Sequence, residues 1–294
     1  MVLFVGDVAS DQRDREAFQE VDFRAMFGPL AKWVARIDHA DRLPEYVSRA
    51  FHIACSGRPG PVVLSLPEDM LSGPASGSPV PAAVLSSGQA AEVDLNAVVT
   101  VLEQAQRPVC IVGEGGWSGT AAEALGRVAD ALALPVGASF RCQDYLDNRH
   151  PCYIGDVGIG INPALAQRVR EADLILALGA RLGEMTTSGY TLIQPPDPVQ
   201  SLVHIHPDPD EPGRVYRPML PVCARPAAVV RQLADRIDSG ERPPAVSASR
   251  RAWLETARAA YIAWQAPEPT AGPLRLENVI SHLTDTLADD AIVT

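Results

Sequence analysis

The sequence predicts an α/β protein: parallel sheets with helices on both faces, a Rossmann-like central domain, and an incomplete α/β domain flanking it. Three observations predict it. Short, near-continuous apolar runs recur along the chain, which is the pattern of strands buried on both faces. Segments with helical periodicity lie between them, as crossover connections of a parallel sheet require. Most runs end on Gly, Pro or Asp, the residues that turn a strand toward the next helix.

The runs are Val2-Leu3-Phe4-Val5 before Gly6-Asp7, Val62-Val63-Leu64-Ser65-Leu66 before Pro67, and Val109-Cys110-Ile111-Val112 before Gly113. Leu134-Pro135-Val136-Gly137-Ala138, Leu174-Ile175-Leu176-Ala177-Leu178 before Gly179, and Leu202-Val203-His204-Ile205 before His206 follow. Between the first two, Leu43, Val47, Phe51 and Ala54 recur at helical spacing, and Ser56-Gly57 supplies the stop. Thr120-x-x-Glu123 has the spacing of a capping box, in which each side chain satisfies an amide of the other's turn. It predicts a helix with Leu125, Val128 and Leu132 on one face. Near the end, Leu276, Ile280, Leu283 and Leu287 predict a last helix, and Ala291-Ile292-Val293-Thr294 reads as the start of a strand.

Composition marks the boundaries. Pro, Gly, Ser and Ala replace periodic apolar residues over 72–88, again over 239–249 and over 266–273, as interdomain connections do. The predicted division is a first domain over 1–71, a linker over 72–88, a central domain over 89–238, a linker with a helix over 239–273, and the start of a further domain over 274–294. The first piece offers only about three strands, too few to cover both faces and protect both edges of a parallel sheet. The chain therefore reads as a window of a longer protein.

Bulk properties restrict the function. Lys and Arg number 25 against 36 Asp and Glu, a net charge of -11, whereas nucleic acids and anionic membranes require clustered cations. The five cysteines are odd in number and never spaced C-x-x-C, so a cytoplasmic protein without a disulfide framework is expected. No apolar run approaches the roughly 20 residues that span a bilayer. A soluble protein that handles small molecules fits best.

Gly113-Glu114-Gly115-Gly116-Trp117-Ser118-Gly119 follows a strand and precedes the capped helix, the place where helix amides can hold an anion. Its G-x-G-x-x-x-G spacing misses the dinucleotide fingerprint, and the following strand ends in Ser139-Phe140 without a ribose-binding acid. The turn serves either an anion or close packing alone. Arg181 in Gly179-Ala180-Arg181 stands at the end of another strand, as a ligand-facing cation or as half of a surface ion pair. His204 and His206 alternate on one strand, but the acids beyond them sit in the turn 207–212 as turn formers, and no metal site is predicted. No Ser-His-Asp or Cys-His set emerges.

Taken together, several segments resemble the thiamine-diphosphate-dependent enzymes of the acetolactate synthase type. Phe4-Val5-Gly6-Asp7 through Phe18-Gln19-Glu20-Val21-Asp22, then Gly28 to Lys32, is one. Ala54-Cys55-Ser56-Gly57-Arg58-Pro59-Gly60-Pro61-Val62 through Pro67-Glu68-Asp69 is the most specific, and looks like the end of that family's first, pyrimidine-binding domain. Arg107 to Gly115, Ala172 to Arg181 and the His204 strand look like its central domain.

The resemblance implies a 2-oxo acid decarboxylase or carboligase that uses thiamine diphosphate and Mg2+ in a homodimer or homotetramer. It places the family's catalytic Glu upstream of residue 1 and the diphosphate-binding G-D-G motif beyond Thr294, so the chain alone is expected to be inactive. Phe18 and Gln19 are then active-site lining, an apolar wall and a hydrogen-bonding side chain; Lys32 is expected to be structural. Gly113, Gly115, Gly116 and Arg181 are implied to hold FAD or ADP. Two departures bear on this: His206 stands where the family has an acid, and Leu182-Gly183 replaces an aromatic-acid pair. A non-catalytic nucleotide-binding or regulatory module is the alternative reading.

Overall fold

The computed structural model describes residues 1–240, 245–267, 271–288 and 290–293. In chain order the elements are β1 Val2–Asp7, α1 Phe23–Phe27, β2 Trp33–Arg36, α2 Leu43–Cys55, β3 Val62–Pro67 and α3 Glu68–Ser72. Then come α4 Glu92–Gln104, β4 Pro108–Val112, α5 Gly119–Leu132, β5 Val136–Ser139, β6 Tyr153–Val157, α6 Pro163–Glu171 and β7 Leu174–Leu178. The last are β8 Ser201–His206, β9 Leu220–Cys223, α7 Pro226–Asp238, α8 Ala248–Trp264 and α9 Leu276–Thr286.

Among the described residues two sheets form, and every pairing within them is parallel. The first has three strands in the order β1-β3-β2; the second has six in the order β6-β5-β4-β7-β8-β9. The fold class is therefore α/β with parallel sheets, as the apolar runs predict. In the large sheet the apolar residues of each strand divide between two faces. Cys110, Val112, Leu176, Val203 and Ile205 pack with α4, α5 and α7, while Val109, Ile111, Ile175 and Leu202 pack with α6 and α8. A strand with apolar residues at consecutive positions needs both layers.

Three strands escape the pattern of apolar runs. β2 carries Trp33 and Arg36, β6 is interrupted by Gly155 and Asp156, and β9 contains Pro221. β9 has the short, proline-bearing form tolerated at a sheet edge, where no outer neighbour needs the missing amide. The capping box is also displaced. Helix α5 is capped by Ser118, whose side chain accepts the Ala121 amide, and Thr120 lies inside the first turn with its hydroxyl 3.0 Å from that of Ser118. Gly119 fits the helical N1 position, so the cap falls one step earlier than the Thr-x-x-Glu spacing suggests.

The helix of the second Pro-rich region packs onto the six-stranded body. Arg168 stacks on Trp253 at 4.1 Å, Trp253 donates to the Pro108 carbonyl (2.9 Å), and Tyr261 meets Tyr153 edge-on. The last helix does not bury its stripe: Leu276 is 72% and Ile280 52% exposed. Residues 291–293 are not a strand; the Ala291 amide turns back onto the Ala288 carbonyl, and no described strand lies beside them to supply a ladder. Thr294 lies outside the described residues. Among the described residues no helix is long and apolar enough to cross a membrane.

Candidate functional site

Strand order in the large sheet runs outward in both directions from the β4–β7 pair: β4, β5, β6 one way and β7, β8, β9 the other. That pair is the switch point, where the loops leaving the two carboxyl ends part and open a crevice. A cleft of about 520 Å³ lies there, within the range of small-molecule sites. It is lined by Ser139 at the end of β5 and Tyr145 beyond it, Glu114, Gly115 and Gly116 after β4, Arg181 and Glu184 after β7, and His206 at the end of β8.

The structure brings Gly115, Gly116 and Arg181 together on this cleft. Gly113 sits beneath it. A Cβ at Gly113 would lie 2.4 Å from the Ala180 Cα, and one at Gly179, where φ is +79°, would lie 2.3 Å from the Glu114 carbonyl. These two glycines let the β4 and β7 exits cross at backbone contact. The turn is closed by Trp117, which donates to the Gly113 carbonyl (2.7 Å) and stacks on Tyr145.

Sequence reasoning assigns no site role to Arg58, yet Arg58 and Pro59 line the same cleft. They arrive from the first sheet on the loop 56–61. Among the contacts that hold that loop, Lys32 Nζ donates to the Ser56 carbonyl at 2.6 Å and the Lys32 amide to the Pro61 carbonyl at 2.8 Å, while Arg225, at the head of α7, donates to the carbonyl of Cys55 just before the loop at 3.2 Å. Gly57 adopts φ +51° above Asp208. A cation inside a Gly-Pro turn was the available signal; what it reaches depends on a contact with Arg225, 170 residues from Cys55 in sequence.

At the β8 end Arg181 forms the ion pair that is one of its two expected readings, with a buried rather than a surface acid. Glu211 is buried at 5% exposure and held by Arg181 and Arg214, each at 3.3 Å. The hydrogen bond from Arg181 Nε to Glu211 thus pairs the predicted ligand-facing cation with a buried carboxylate. His204 Nε2 is 3.0 Å from the Ala180 carbonyl, and His206 Nδ1 accepts the Asp208 amide at 3.1 Å. Burial pushes His204 down to about 4 and holds His206 below the ordinary imidazole value.

The His204 shift has a pH consequence. Its folded-state value of about 4 lies below the unfolded value of 6.5, so between them the unfolded chain binds the extra proton. Stability is then unaffected above pH 6.5 and falls as pH drops toward 4, by up to about 3 kcal/mol. We expect the stability difference between the parent chain and His204→Gln, measured by urea unfolding, to shift against the parent by about 2 kcal/mol between pH 7 and 4.5. A pH-independent difference would contradict this assignment.

Phe18 and Gln19 lie elsewhere, in the loop that leaves the carboxyl end of β1. The Glu20 carboxylate closes this loop by accepting the amides of Asp14 (2.6 Å) and Ala17 (3.1 Å), which also lower its pKa. Asp14, Glu16 and Gln19 all have positive φ, at 61°, 55° and 69°, each a conformation costing about 1–3 kcal/mol. The loop presents Phe18 at 92% exposure. Lys32, expected to be structural, holds the Ser56 carbonyl as above.

Among the described residues one trio, Asp130, His150 and Cys152, brings metal-ligating atoms within 4.8 Å of one another. The His150 Nδ1 accepts the Cys152 amide (3.1 Å), leaving the proton on Nε2, 3.4 Å from Asp130. A metal-binding imidazole has the reverse arrangement, donating from its second nitrogen. Burial raises the Cys152 thiol to about 12, away from thiolate chemistry.

Comparison with known proteins places this architecture. The family described as "Thiamine pyrophosphate enzyme, central domain" matches residues 95–233, which hold the six-stranded sheet and all of the cleft lining except Arg58 and Pro59. The acetolactate synthase large subunit of Parasynechococcus marenigrum is 33% identical over 309 residues, covering 100% of this chain and 48% of that protein. The chain belongs to the thiamine-diphosphate-dependent family of the acetolactate synthase type. Acetolactate synthase isozyme 1 large subunit of Escherichia coli is 28% identical over 298 residues, and the probable acetolactate synthase large subunit of Methanocaldococcus jannaschii is 29% identical over 240. They are covered over 50% and 40% of their lengths, with 100% and 79% of this chain matched. The chain thus spans about half the length, or less, of the acetolactate synthase relatives it matches.

Proposed function

We propose that this chain supplies the central domain and part of the pyrimidine-binding domain of a thiamine-diphosphate-dependent 2-oxo acid decarboxylase or carboligase. The observation that carries the reading is the match over the whole chain, the three-stranded sheet included, to acetolactate synthase large subunits. On this reading the active assembly is a cytoplasmic homodimer or homotetramer that uses magnesium to hold the cofactor diphosphate.

The cofactor, when bound, supplies the electron sink that makes loss of carbon dioxide from a 2-oxo acid feasible. The chain's own contribution is a wall. Phe18, an apolar side chain held out in water by a loop with three left-handed residues, fits a surface that becomes covered, and Gln19 beside it offers a donor and an acceptor. Gly-Asp-Gly, the start of the motif that would hold magnesium and diphosphate, does not occur in the 294 residues. In the central cleft, Gly115, Gly116 and Arg181 would hold the phosphates of a nucleotide.

The purified 294-residue chain, given pyruvate, thiamine diphosphate and magnesium, is expected to release no carbon dioxide. Release under these conditions would overturn the division of labour proposed. Reading the DNA in frame on both sides is the complementary test: an upstream strand-flanked Glu and a downstream G-D-G followed by Asn are expected.

A further inference from the structure

The cleft offers donors and cations where it meets β8. His206 is 3% exposed, and its Nδ1 faces Asp208, 3.1 Å from the amide nitrogen and 3.4 Å from the carbonyl oxygen. Arg58 lines the same cleft, close enough for its charge to act on the His206 imidazole. In a doubly wound sheet a ribose with free hydroxyls is fixed by a carboxylate at a strand end, whereas a cation there suits a ribose phosphate.

The acids of the turn that follows β8 do not supply that carboxylate. Glu211 is buried against Arg181 and Arg214. Asp208 turns its carboxylate onto the Asp210 amide (3.1 Å) under Gly57. Glu114 and Glu184 line the cleft from the segments after β4 and β7. FAD, whose adenosine ribose carries free hydroxyls, does not match the β8 end.

We propose, resting on the reading of this cleft as a nucleotide site, that its preferred occupant is an adenosine nucleotide bearing a phosphate on the ribose, seated against Arg58 and His206. The cleft spans the ends of β5, β4, β7 and β8, about 14 Å at the usual strand spacing, enough for that phosphate at one end and the 5′-phosphate at the Gly115-Gly116 turn. A 2′-phosphate and a 3′-phosphate share the recognising chemistry, and the probes separate them.

The test is calorimetric titration of the full chain with 5′-ADP, 2′,5′-ADP and 3′,5′-ADP. These isomers have the same composition and differ in where the second phosphate sits. One of the two ribose-phosphorylated isomers is expected to bind about tenfold or more tightly than 5′-ADP, through charge-assisted contacts. Arg58→Gln should remove most of that preference, and His206→Asp should shift it toward 5′-ADP; circular dichroism checks that each variant is folded. Equal or tighter binding of 5′-ADP would overturn the proposal and leave the nucleotide reading standing. Failure of all three isomers to bind would overturn both.

Discussion

Replacing Gly113 by alanine is expected to lower the unfolding free energy by about 3 kcal/mol, the upper part of the range for inserting an atom into a packed interior. The added Cβ would meet the Ala180 Cα at 2.4 Å, the Ala180 nitrogen at 2.6 Å and the Gly179 carbonyl carbon at 2.8 Å. All three are backbone atoms, so no side-chain rotation relieves the overlap. One strand exit must move, at the point where the Gly113 amide donates to the Leu178 carbonyl and Val112 bridges Gly179. Gly119→Ala is the control: it meets nothing within 4 Å and begins a helix, so a change within about 0.5 kcal/mol is expected. Urea-unfolding midpoints check both; equal midpoints would refute the packing account. Because Arg181 follows Ala180 directly, G113A should also weaken the nucleotide binding proposed for the cleft.

The second large effect is expected at Arg250. It is 3% exposed on α8, and its Nη1 donates to the Leu102 carbonyl (2.6 Å) and the Ala105 carbonyl (3.4 Å), satisfying the end of α4. Its Nε and Nη2 have no hydrogen-bond partner among the described residues, and burial lowers its pKa. Arg250→Ala leaves both carbonyls unpaired and opens a void, a loss of about 3 kcal/mol. Arg250→Met keeps much of the stem packing and removes a poorly solvated charge, so a smaller loss of about 1 kcal/mol is expected. Thermal unfolding distinguishes them. Equal losses would mean that the guanidinium hydrogen bonds, rather than the stem, anchor α8.

Elements with a strong local signature were legible. The two-face burial of β4, β7 and β8 follows from unbroken apolar runs, and α2 and α5 follow from periodicity. β2, β6 and β9 were not, because a strand that is short, charged or proline-bearing is stabilised by its neighbours rather than by its own pattern. The tail shows the converse: Ala291-Ile292-Val293 has the composition of a strand, yet no described partner strand stands beside it.

The site divides in the same way. Gly115, Gly116 and Arg181 could be placed at strand ends from their context. The pairing of Arg181 with Glu211, 30 residues later, could not, since ion pairs across a sheet edge follow no sequence spacing. Arg58 is the clearest case. Its motif carries the family resemblance, but only the docking of the 56–61 loop through Lys32 and Arg225 delivers it to the cleft.

By itself the sequence determined the fold class, the family, the glycine turn and the residues available for chemistry, because apolar periodicity, turn composition and motif order are local properties of the chain. Only the tertiary structure decided the strand order, and with it the β4–β7 switch point that makes Gly113 a packing residue, and the docking of the 56–61 loop that brings Arg58 to the cleft His206 lines. Those outcomes depend on contacts between segments far apart in the chain, and their energies are set by distance in space, which no local pattern of residues encodes.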